Sequence, residues 1–418
     1  MHYFEYHNDQ LCCDGISITT IAEDVGTPFY LYSSRTLRRH IDQIDGAFGD
    51  LPHITCYSVK ANANLALLHI MASSGLGADI VSGGELYRAR LAGFPPERIV
   101  YSGVGKTAEE IRYALREGIF AFNVESLPEL DTINRIAGEM GVSAPVALRI
   151  NPDVDPKTHP YISTGLRSNK FGIPHAWALD SFKNAAAQPH LRVIGVDAHV
   201  GSQIITVGPF VASAERLSNL VEKIRSEGMH LEFIDIGGGL GIRYHDETPP
   251  EPVEWASAIR PILKKTGCCV LFEPGRAMIG NVGVLVTRVL YVKRNEEKTF
   301  VIVDAAMNDL SRPMLYGSYH AIQPVVRRSS ERIIADIVGP ICESGDFFAR
   351  DREVERVEAG DLFAIMSAGA YGFSMASNYN ARPRVAEVLA VNGRYEVVRA
   401  RETYEDLVRG ERVLPWSD

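Results

Sequence analysis

Four short motifs before residue 277 contain side chains that could carry out chemistry. They are YSVKAN at 57–62, HVGS at 199–202, GGGLG at 237–241 and EPGR at 273–276. Each overlaps or follows an apolar run typical of a buried β-strand. Because the carboxyl ends of parallel barrel strands meet at one face, we expect the four motifs to form one site.

The lysine of the first motif is a candidate nucleophile. Lys60 follows an apolar strand and precedes Ala61 and Asn62. An amine that emerges from a barrel interior is partly desolvated and can form an imine with a carbonyl group. Taken alone, Lys60 is better explained as a lysine that extends from a strand end into solvent.

The glycine motif is a candidate phosphate site. Gly238, Gly239 and Gly241 leave backbone N–H groups uncovered, which suits an anion at the top of a barrel, although glycines also form ordinary tight turns. In the next motif Glu273 and Arg276 flank a second turn, where they could contact a ligand or each other.

Together these groups match the requirements of pyridoxal 5'-phosphate. Its aldehyde needs an amine, its phosphate needs the glycines, and its ring nitrogen needs a carboxylate that keeps it protonated. His199 could stack on the ring, or it could be a hydrogen-bonded core histidine. We therefore predict a pyridoxal 5'-phosphate site and no metal site.

The elements around these motifs predict an α/β fold. Apolar, β-branched runs alternate with amphipathic stretches, which predicts eight strands with seven intervening helical segments and hence a closed (β/α)8 barrel over 34–276. The predicted strands are 54–60, 78–82, 99–102, 120–124, 146–150, 193–199, 233–236 and 270–273.

A second, mostly antiparallel β domain is predicted from 277–418 together with 1–33. Its evidence is a series of long alternating runs without helices of useful length between them. PFYLY at 28–32 could add a strand to it. The runs are 282–292, 299–304, 332–338, 361–365 and 384–391.

Composition limits the possible partners. The 418 residues include 43 Lys and Arg against 52 Asp and Glu, for a net charge of -9, which argues against nucleic-acid and membrane-surface partners. No leader-like segment or apolar run of membrane-spanning length is evident, so we expect a cytoplasmic protein. The six cysteines fit neither a zinc site nor a disulfide framework, so we expect thiols.

The motifs in this order resemble the fold-type III pyridoxal-phosphate-dependent decarboxylases. The resemblance implies a barrel plus a β domain, and a homodimer whose active sites lie at the subunit interface. Further segments that carry it are TPFYLY (27–32), GADIVSGGEL (77–86), NVES (123–126), RINP (149–152), HPYISTGLRSNKFG (159–172), GPICESGD (339–346) and GAYGFSMASNYN (369–380).

The resemblance also implies roles for individual residues. Lys60 becomes the lysine that holds the cofactor as an imine, His199 the ring-stacking residue and Glu273 the partner of the ring nitrogen. Cys342 becomes the proton donor, presented from the neighbouring subunit. The phosphate would be bound by Gly238, Gly239, Gly241, Tyr371 and the 273–276 turn, which includes Gly275 and Arg276.

Within that family the chain is similar to the members that convert meso-2,6-diaminoheptanedioate to L-lysine and carbon dioxide, the last step of lysine biosynthesis. The distal carboxylate of this substrate would be bound by Arg276, Arg312 and Tyr316, and its ammonium by Glu343, with Tyr371 also at the substrate. Arg312 could instead be a solvated surface arginine.

Several alternatives stay open. The substrate could be carboxynorspermidine, ornithine or arginine, and the chain could also be a racemase or a non-catalytic regulatory homologue. The segment between Asn151 and Lys170 contains Pro152, Pro156 and Pro160, and we expect it to act as a lid.

Overall fold

The computed structural model describes residues 2–154, 169–328 and 330–414. The chain divides into two compact units, Leu37–Gly280 and Met1–Thr36 with Asn281–Asp418. The predicted domain boundaries, 33/34 and 276/277, lie a few residues from these division points. The expected lid lies almost entirely in 155–168, outside the described residues.

The N-terminal part of the discontinuous unit begins with a small antiparallel sheet of three strands. Helix α1 and a fully buried strand follow. These elements are β1 (Phe4–His7), β2 (Gln10–Cys13), β3 (Ile16–Ser17), α1 (Ile18–Val25) and β4 (Phe29–Ser33).

The continuous unit is a closed parallel barrel. Each strand pairs with the next one around the ring, and the last strand pairs with the first, Val270 lying beside His53. The eight barrel strands are β5 (His53–Ser58), β6 (Gly77–Ile80), β7 (Ile99–Tyr101), β8 (Ala121–Val124), β9 (Ala144–Asn151), β11 (Leu191–Asp197), β12 (Phe233–Asp235) and β13 (Cys269–Phe272); the two-residue β10 (Ile173–Pro174) pairs with β9 outside the ring.

Helices surround the barrel strands, and their ends follow local sequence signals. Ser82, Thr107 and Ser126 each accept a hydrogen bond from the backbone N–H three residues later, which fixes the starts of three helices. The helices of this part of the chain are α2 (Ser34–Gly46), α3 (Leu65–Ser73), α4 (Gly83–Ala92), α5 (Ala108–Glu117), α6 (Leu127–Met140), α7 (Ala178–Ala187), α8 (Gly208–Ser226), α9 (Pro252–Leu263) and α10 (Arg276–Ile279).

An apolar cluster fills the barrel interior below the strand ends. It includes Val100, Ile194, Phe233 and Leu271, all buried. Gly195 makes room for it, because a Cβ atom there would lie 2.4 Å from the Phe233 ring. The barrel interior is therefore a packed core.

The discontinuous unit is built on a large, mostly antiparallel sheet with the order β18-β17-β15-β14-β4-β20-β21, while β19 pairs with β14 and β16. Two neighbouring pairs, β15 with β17 and β4 with β20, are parallel. The remaining elements are β14 (Gly283–Arg294), β15 (Thr299–Val303), α11 (Arg312–Tyr316), β16 (Ile322–Pro324), β17 (Arg332–Val338), β18 (Phe347–Glu355), β19 (Leu362–Ile365), β20 (Ala386–Val391), β21 (Arg394–Arg399) and α12 (Tyr404–Leu407).

The predicted fold class is confirmed, including the strand expected from PFYLY, which is β4. Details differ at the strand ends. β5 ends at Ser58, so that Lys60 lies in a following 3-10 turn, and β11 ends at Asp197 rather than at His199. Among the described residues, no helix is long and apolar enough to cross a bilayer.

Candidate active site

Lys60 lies at the mouth of the barrel in the single 3-10 turn Val59–Ala61. Its Nζ atom is 2.8 Å from Oδ2 of Asp79, a fully buried residue of β6, while the Lys60 side chain is 36% exposed. The hydroxyl of Ser58 donates to the same carboxylate oxygen over 2.8 Å. A buried carboxylate requires such partners, and they hold the amine of Lys60 at the barrel mouth.

Glu273 follows the last barrel strand and is buried. Its Oε1 atom accepts hydrogen bonds from the hydroxyl of Ser102 over 3.2 Å and from Nδ2 of Asn123 over 3.3 Å. Burial, followed by the nearby carboxyls of Asp235 and Asp79, raises the pKa of Glu273 well above its ordinary value. Burial and these neighbours therefore favour the protonated form of this carboxyl.

Two more carboxyls lie beside Glu273. Asp197 ends β11 and Asp235 ends β12, and one carboxylate oxygen from each of the three residues lies within 4.8 Å of the others. Burial, and then Asp235, raise the pKa of Asp197, whereas Arg149, 3.6 Å away, opposes the rise. Burial also raises the pKa of Asp235 to about 6.

His199 lies just beyond β11 and is held in one tautomer. Its Nδ1 atom accepts a hydrogen bond from the N–H of Gly238 over 3.0 Å, so this nitrogen carries no proton. Burial lowers the pKa of His199 well below its ordinary value, and the cations of Arg149 and Lys60 lower it further. The imidazole is therefore neutral at neutral pH.

The glycine motif makes a tight turn beside His199. Gly237 has a φ of +66° and donates its N–H to Oδ1 of Asp235 over 2.9 Å, while Gly241 donates its N–H to the carbonyl of Ile204 over 3.0 Å. A Cβ atom at Gly238 would lie 2.1 Å from the carbonyl oxygen of Glu273, and one at Gly239 would lie 2.5 Å from that of Gly201. Glycine is thus required for this close approach of strand ends.

Gly275 and Arg276 follow Glu273 in the next turn, and Gly275 precedes α10. The Arg276 side chain is buried, and hydrogen bonds fix the position of its guanidinium. Its guanidinium donates to the hydroxyl of Tyr244 over 2.7 Å and to that of Ser202 over 3.1 Å.

Arg312 and Tyr316, two of the predicted substrate residues, lie at the two ends of α11 in the discontinuous unit. Arg312 is buried, so the alternative of a solvated surface arginine is wrong. Its guanidinium donates to Oγ of Ser318 over 3.2 Å and to Nε2 of His320 over 3.5 Å, and its Cζ atom lies 5.9 Å from the ring centre of Tyr316.

Cys342 and Glu343 lie on an exposed loop of the same unit. The base of the loop is fixed by the buried Asp346, whose carboxylate accepts the N–H groups of Met307 and Ile341, each over 2.7 Å. The N–H of Cys342 donates to Oδ1 of Asn380 over 3.0 Å. The thiol of Cys342 is exposed, which contradicts a buried structural role.

Glu343 and Tyr371 have distinct environments. A hydrogen bond with Glu343 raises the pKa of Tyr379, so these two side chains are neighbours on the loop surface. Tyr371 is half-buried and has a φ of +56°, a left-handed conformation that is uncommon for a non-glycine residue. Such positions cluster at functional sites, which is consistent with the role predicted for Tyr371.

The sequence motifs did not indicate a role for several polar residues of the barrel mouth. They occur at or just after strands, and some stand inside motifs that were recognised, such as NVES and RINP. Reading every polar residue at the ends of all eight strands would have found them. They are Asp79, Ser102, Asn123, Glu125, Arg149, Asp197 and Asp235.

One end of the barrel therefore carries an amine, a buried carboxyl with a raised pKa, a neutral imidazole and a tight glycine turn. Residues 34–280 match the family described as "Pyridoxal-dependent decarboxylase, pyridoxal binding domain". The chain belongs to this family, the pyridoxal-dependent decarboxylases.

Within the family the similarity extends to particular enzymes. The chain is 49% identical to diaminopimelate decarboxylase of Vibrio cholerae over 417 residues, covering 99% of this chain and all of the relative. The structure of diaminopimelate decarboxylase from Helicobacter pylori complexed with L-lysine superposes with a TM-score of 0.91 at 42% identity, covering 94% of this chain and 98% of that one. The corresponding enzyme of M. jannaschii, also in complex with L-lysine, gives a TM-score of 0.93 at 40% identity and covers 99% of each chain.

Proposed function

We propose that this protein decarboxylates meso-2,6-diaminoheptanedioate to L-lysine and carbon dioxide, with pyridoxal 5'-phosphate bound at Lys60. The observation that carries the proposal is the similarity to diaminopimelate decarboxylases over nearly the whole length, two of which were crystallised with L-lysine. L-lysine is the product that the proposed reaction would release.

The groups at the barrel mouth fit the cofactor. Lys60 offers an amine, and Glu273 is a buried carboxyl suited to the ring nitrogen. The neutral His199 can lie against a ring without adding charge. Gly238, Gly239, Gly241, Gly275, Arg276 and Tyr371 are proposed to surround the phosphate. When bound, pyridoxal 5'-phosphate supplies an electron sink for the charge left at Cα as carbon dioxide departs.

Substrate selection is proposed to depend on residues of opposite charge. The distal end of the substrate carries both a carboxylate and an ammonium. We assign the carboxylate to Arg276, Arg312 and Tyr316, because a guanidinium can donate two parallel hydrogen bonds to it. Glu343 is assigned to the ammonium, and Tyr371 to a contact with substrate as well as phosphate.

Cys342 is proposed to complete the reaction by donating the proton of its thiol to Cα. Its exposure on a loop anchored by Asp346 and Asn380 supports a role that needs access to a bound molecule. We further propose a cytoplasmic homodimer in which Cys342 serves the active site of the neighbouring subunit.

The test is an assay of carbon dioxide release in the presence of pyridoxal 5'-phosphate. The substrates compared are meso-2,6-diaminoheptanedioate, ornithine, arginine and carboxynorspermidine. We expect release from the first and L-lysine in equal amount. Preferential release from any of the other three would reject the proposed substrate, and no release from any of them would favour a non-catalytic homologue.

A further inference from the structure

In the described part of the barrel mouth, buried carboxyls outnumber the cations paired with them. Five acidic side chains are buried there, and Lys60 and Arg149 form ion pairs with three of them. Buried carboxylates without matching cations are costly, so part of this excess is expected to be neutralised by protons. The five acidic residues are Asp79, Glu125, Asp197, Asp235 and Glu273.

Glu273 and Asp235 form the pair in which such a proton is best placed. Nδ2 of Asn123 lies 3.3 Å from Oε1 of Glu273 and 3.4 Å from Oδ2 of Asp235, so one amide spans both carboxyls. Oxygen atoms of the two carboxyls lie within 4.8 Å. Burial raises the pKa of Asp235 to about 6, and a hydrogen bond with Glu273 opposes part of that rise. Two carboxyls this close do not both ionise readily.

The hydrogen bonds indicate which member of the pair holds the proton. Asp235 accepts the backbone N–H of Gly237 over 2.9 Å, a bond that favours the ionised form. Glu273 receives longer bonds from Ser102 and Asn123, at 3.2 and 3.3 Å. The proton therefore resides mainly on Glu273, in agreement with the raised pKa of this residue.

We propose that Asp235 is a positioning residue that keeps Glu273 protonated until the cofactor binds, and that Glu273 loses this proton when a protonated ring nitrogen is placed beside it. In this step the O–H bond of Glu273 breaks, its electron pair stays on the carboxylate, the proton passes to the buffer, and the carboxylate would pair with the N–H group of the ring. The inference rests on the proposed function, since it requires a pyridine ring beside Glu273.

Other charged groups face Glu273 and Asp235 from the surrounding strands and affect whether Glu273 is protonated or ionised. Asp79 and Asp197 oppose ionisation of Glu273, whereas Lys60 favours it. Arg149 is held by Glu125 over 2.7 Å and by Asp197 over 3.6 Å, and His199 is neutral. Cys56, whose pKa is raised well above its ordinary value by burial and then by Asp235, adds no charge.

The experiment measures protons exchanged on binding of pyridoxine 5'-phosphate, an analogue that lacks the aldehyde, to full-length protein purified without cofactor. Titration calorimetry in buffers of different ionisation enthalpy gives this number at each pH, and the free analogue's own protonation is subtracted. We expect wild-type protein to release close to one proton to the buffer near neutral pH. Glu273→Gln should release none.

Asp235→Asn tests the positioning role. Removing the neighbouring negative charge should lower the pH at which the proton contribution is half complete, by on the order of one pH unit. Asp246→Asn is the matched control, because the Asp246 side chain is 86% exposed, and it should behave as the wild type. If Asp235→Asn does not bind the analogue, Asp235→Ser, which keeps an oxygen for the N–H of Gly237, replaces it.

The outcomes separate the two proposals. Failure of wild-type protein to bind both the analogue and pyridoxal 5'-phosphate would overturn the proposed function, and this inference with it. Binding without a proton contribution near neutral pH would overturn only the inference. The inference would also be overturned if the proton contribution of the Asp235 variant were half complete at the same pH as that of the wild type.

Discussion

The Nζ atom of Lys60, in the turn that follows β5, lies 2.8 Å from Oδ2 of Asp79 on the neighbouring barrel strand β6. The carboxylate is fully buried whereas the amine is 36% exposed, so the pair has one protected and one accessible side. A molecule that enters the barrel mouth can therefore reach the amine while Asp79 keeps it in place. This accessibility is what a covalent attachment point requires.

Replacing Lys60 with Ala should abolish the long-wavelength absorbance of lysine-bound cofactor. The reason is that the amine proposed to attach the cofactor is removed, while the glycine turn and Glu273 remain. The measurement is the visible spectrum of protein purified with excess pyridoxal 5'-phosphate and then desalted.

Lys298→Ala is the control for this experiment. The Lys298 side chain is also 36% exposed and also forms an ion pair with an aspartate, Asp336, at 3.0 Å, but it lies in the discontinuous unit. Its spectrum should equal that of the wild type. A retained band in the Lys60 variant would rule out Lys60 as the attachment point.

The fold was predictable because its signals are local. Apolar runs at regular intervals determine the barrel strands, and Ser or Thr followed by Glu three residues later determines several helix starts. β18 was missed because its sequence, FFARDREVE, combines charged residues with a strand that is paired on only one side. Charged edge strands do not show the alternation that identifies half-buried ones.

The candidate site was predictable only in part. Lys60, His199 and Glu273 follow apolar strands directly, so the strand-end rule finds them. Asp79, Asn123 and Asp235 follow the same rule, but their roles come from distances across strands, such as the 3.4 Å between Asn123 and Asp235. Those distances depend on the register and closure of the barrel, which no local pattern specifies.

Replacing Gly238 with Ala should destabilise the barrel mouth and weaken cofactor binding. The added Cβ would lie 2.1 Å from the carbonyl oxygen of Glu273, so two strand ends would have to separate. Overpacking of this kind costs about 1–3 kcal/mol. Urea unfolding gives the stability, and titration with pyridoxal 5'-phosphate gives the affinity.

Gly105→Ala is the matched control for that substitution, because a Cβ there meets no atom within 4 Å. This variant should change neither the stability nor the affinity for pyridoxal 5'-phosphate by much. Equal stability and equal affinity in the two variants would show that the close approach at Gly238 has no energetic importance.

Stability should also depend on pH through His199. The folded-state pKa of His199 is lowered well below the ordinary value of 6.5, so the unfolded chain binds the extra proton first. The stability contributed by this residue is present above pH 6.5 and is lost as the pH falls below it, by up to about 1.4 kcal/mol per pH unit. His199→Gln should remove the contribution of this residue to the slope of the unfolding free energy against pH.

The measurement is the free energy of unfolding at several pH values below 6.5, compared between the variant and the wild type. The raised pKa values of Glu273 and Asp197 act in the opposite direction, but they are present in both proteins. His245→Gln, at an exposed histidine, is the control variant. Parallel slopes in wild type and His199→Gln would contradict a buried neutral imidazole.

Arg312→Lys should raise the KM for meso-2,6-diaminoheptanedioate by about 10-fold or more, since one charged hydrogen bond is worth about 1.5–3 kcal/mol. Lysine keeps the charge but not the planar fork. The cofactor spectrum should be unchanged. Arg328→Lys, whose parent side chain is 68% exposed, is the control, and an unchanged KM in Arg312→Lys would remove Arg312 from the substrate site.

Cys342→Ala should lower kcat by about 10²- to 10⁴-fold, the usual range for loss of a positioned proton donor. Cofactor binding should remain, because the thiol is exposed on a loop whose anchors are Asp346 and the side chain of Asn380. Ser344→Ala, two residues further along the same loop, tests whether any change to the loop has this effect. Steady-state kinetics and the cofactor spectrum are measured on all three proteins.

The spectrum and the rate together decide the role of Cys342. A slow variant with an intact spectrum, beside a normal Ser344→Ala, is the result expected of a proton donor. Because protonation of Cα follows loss of carbon dioxide, carbon dioxide release in the first turnover should be less affected than formation of L-lysine. Equal kcat in the variant and the parent would mean that another group donates the proton.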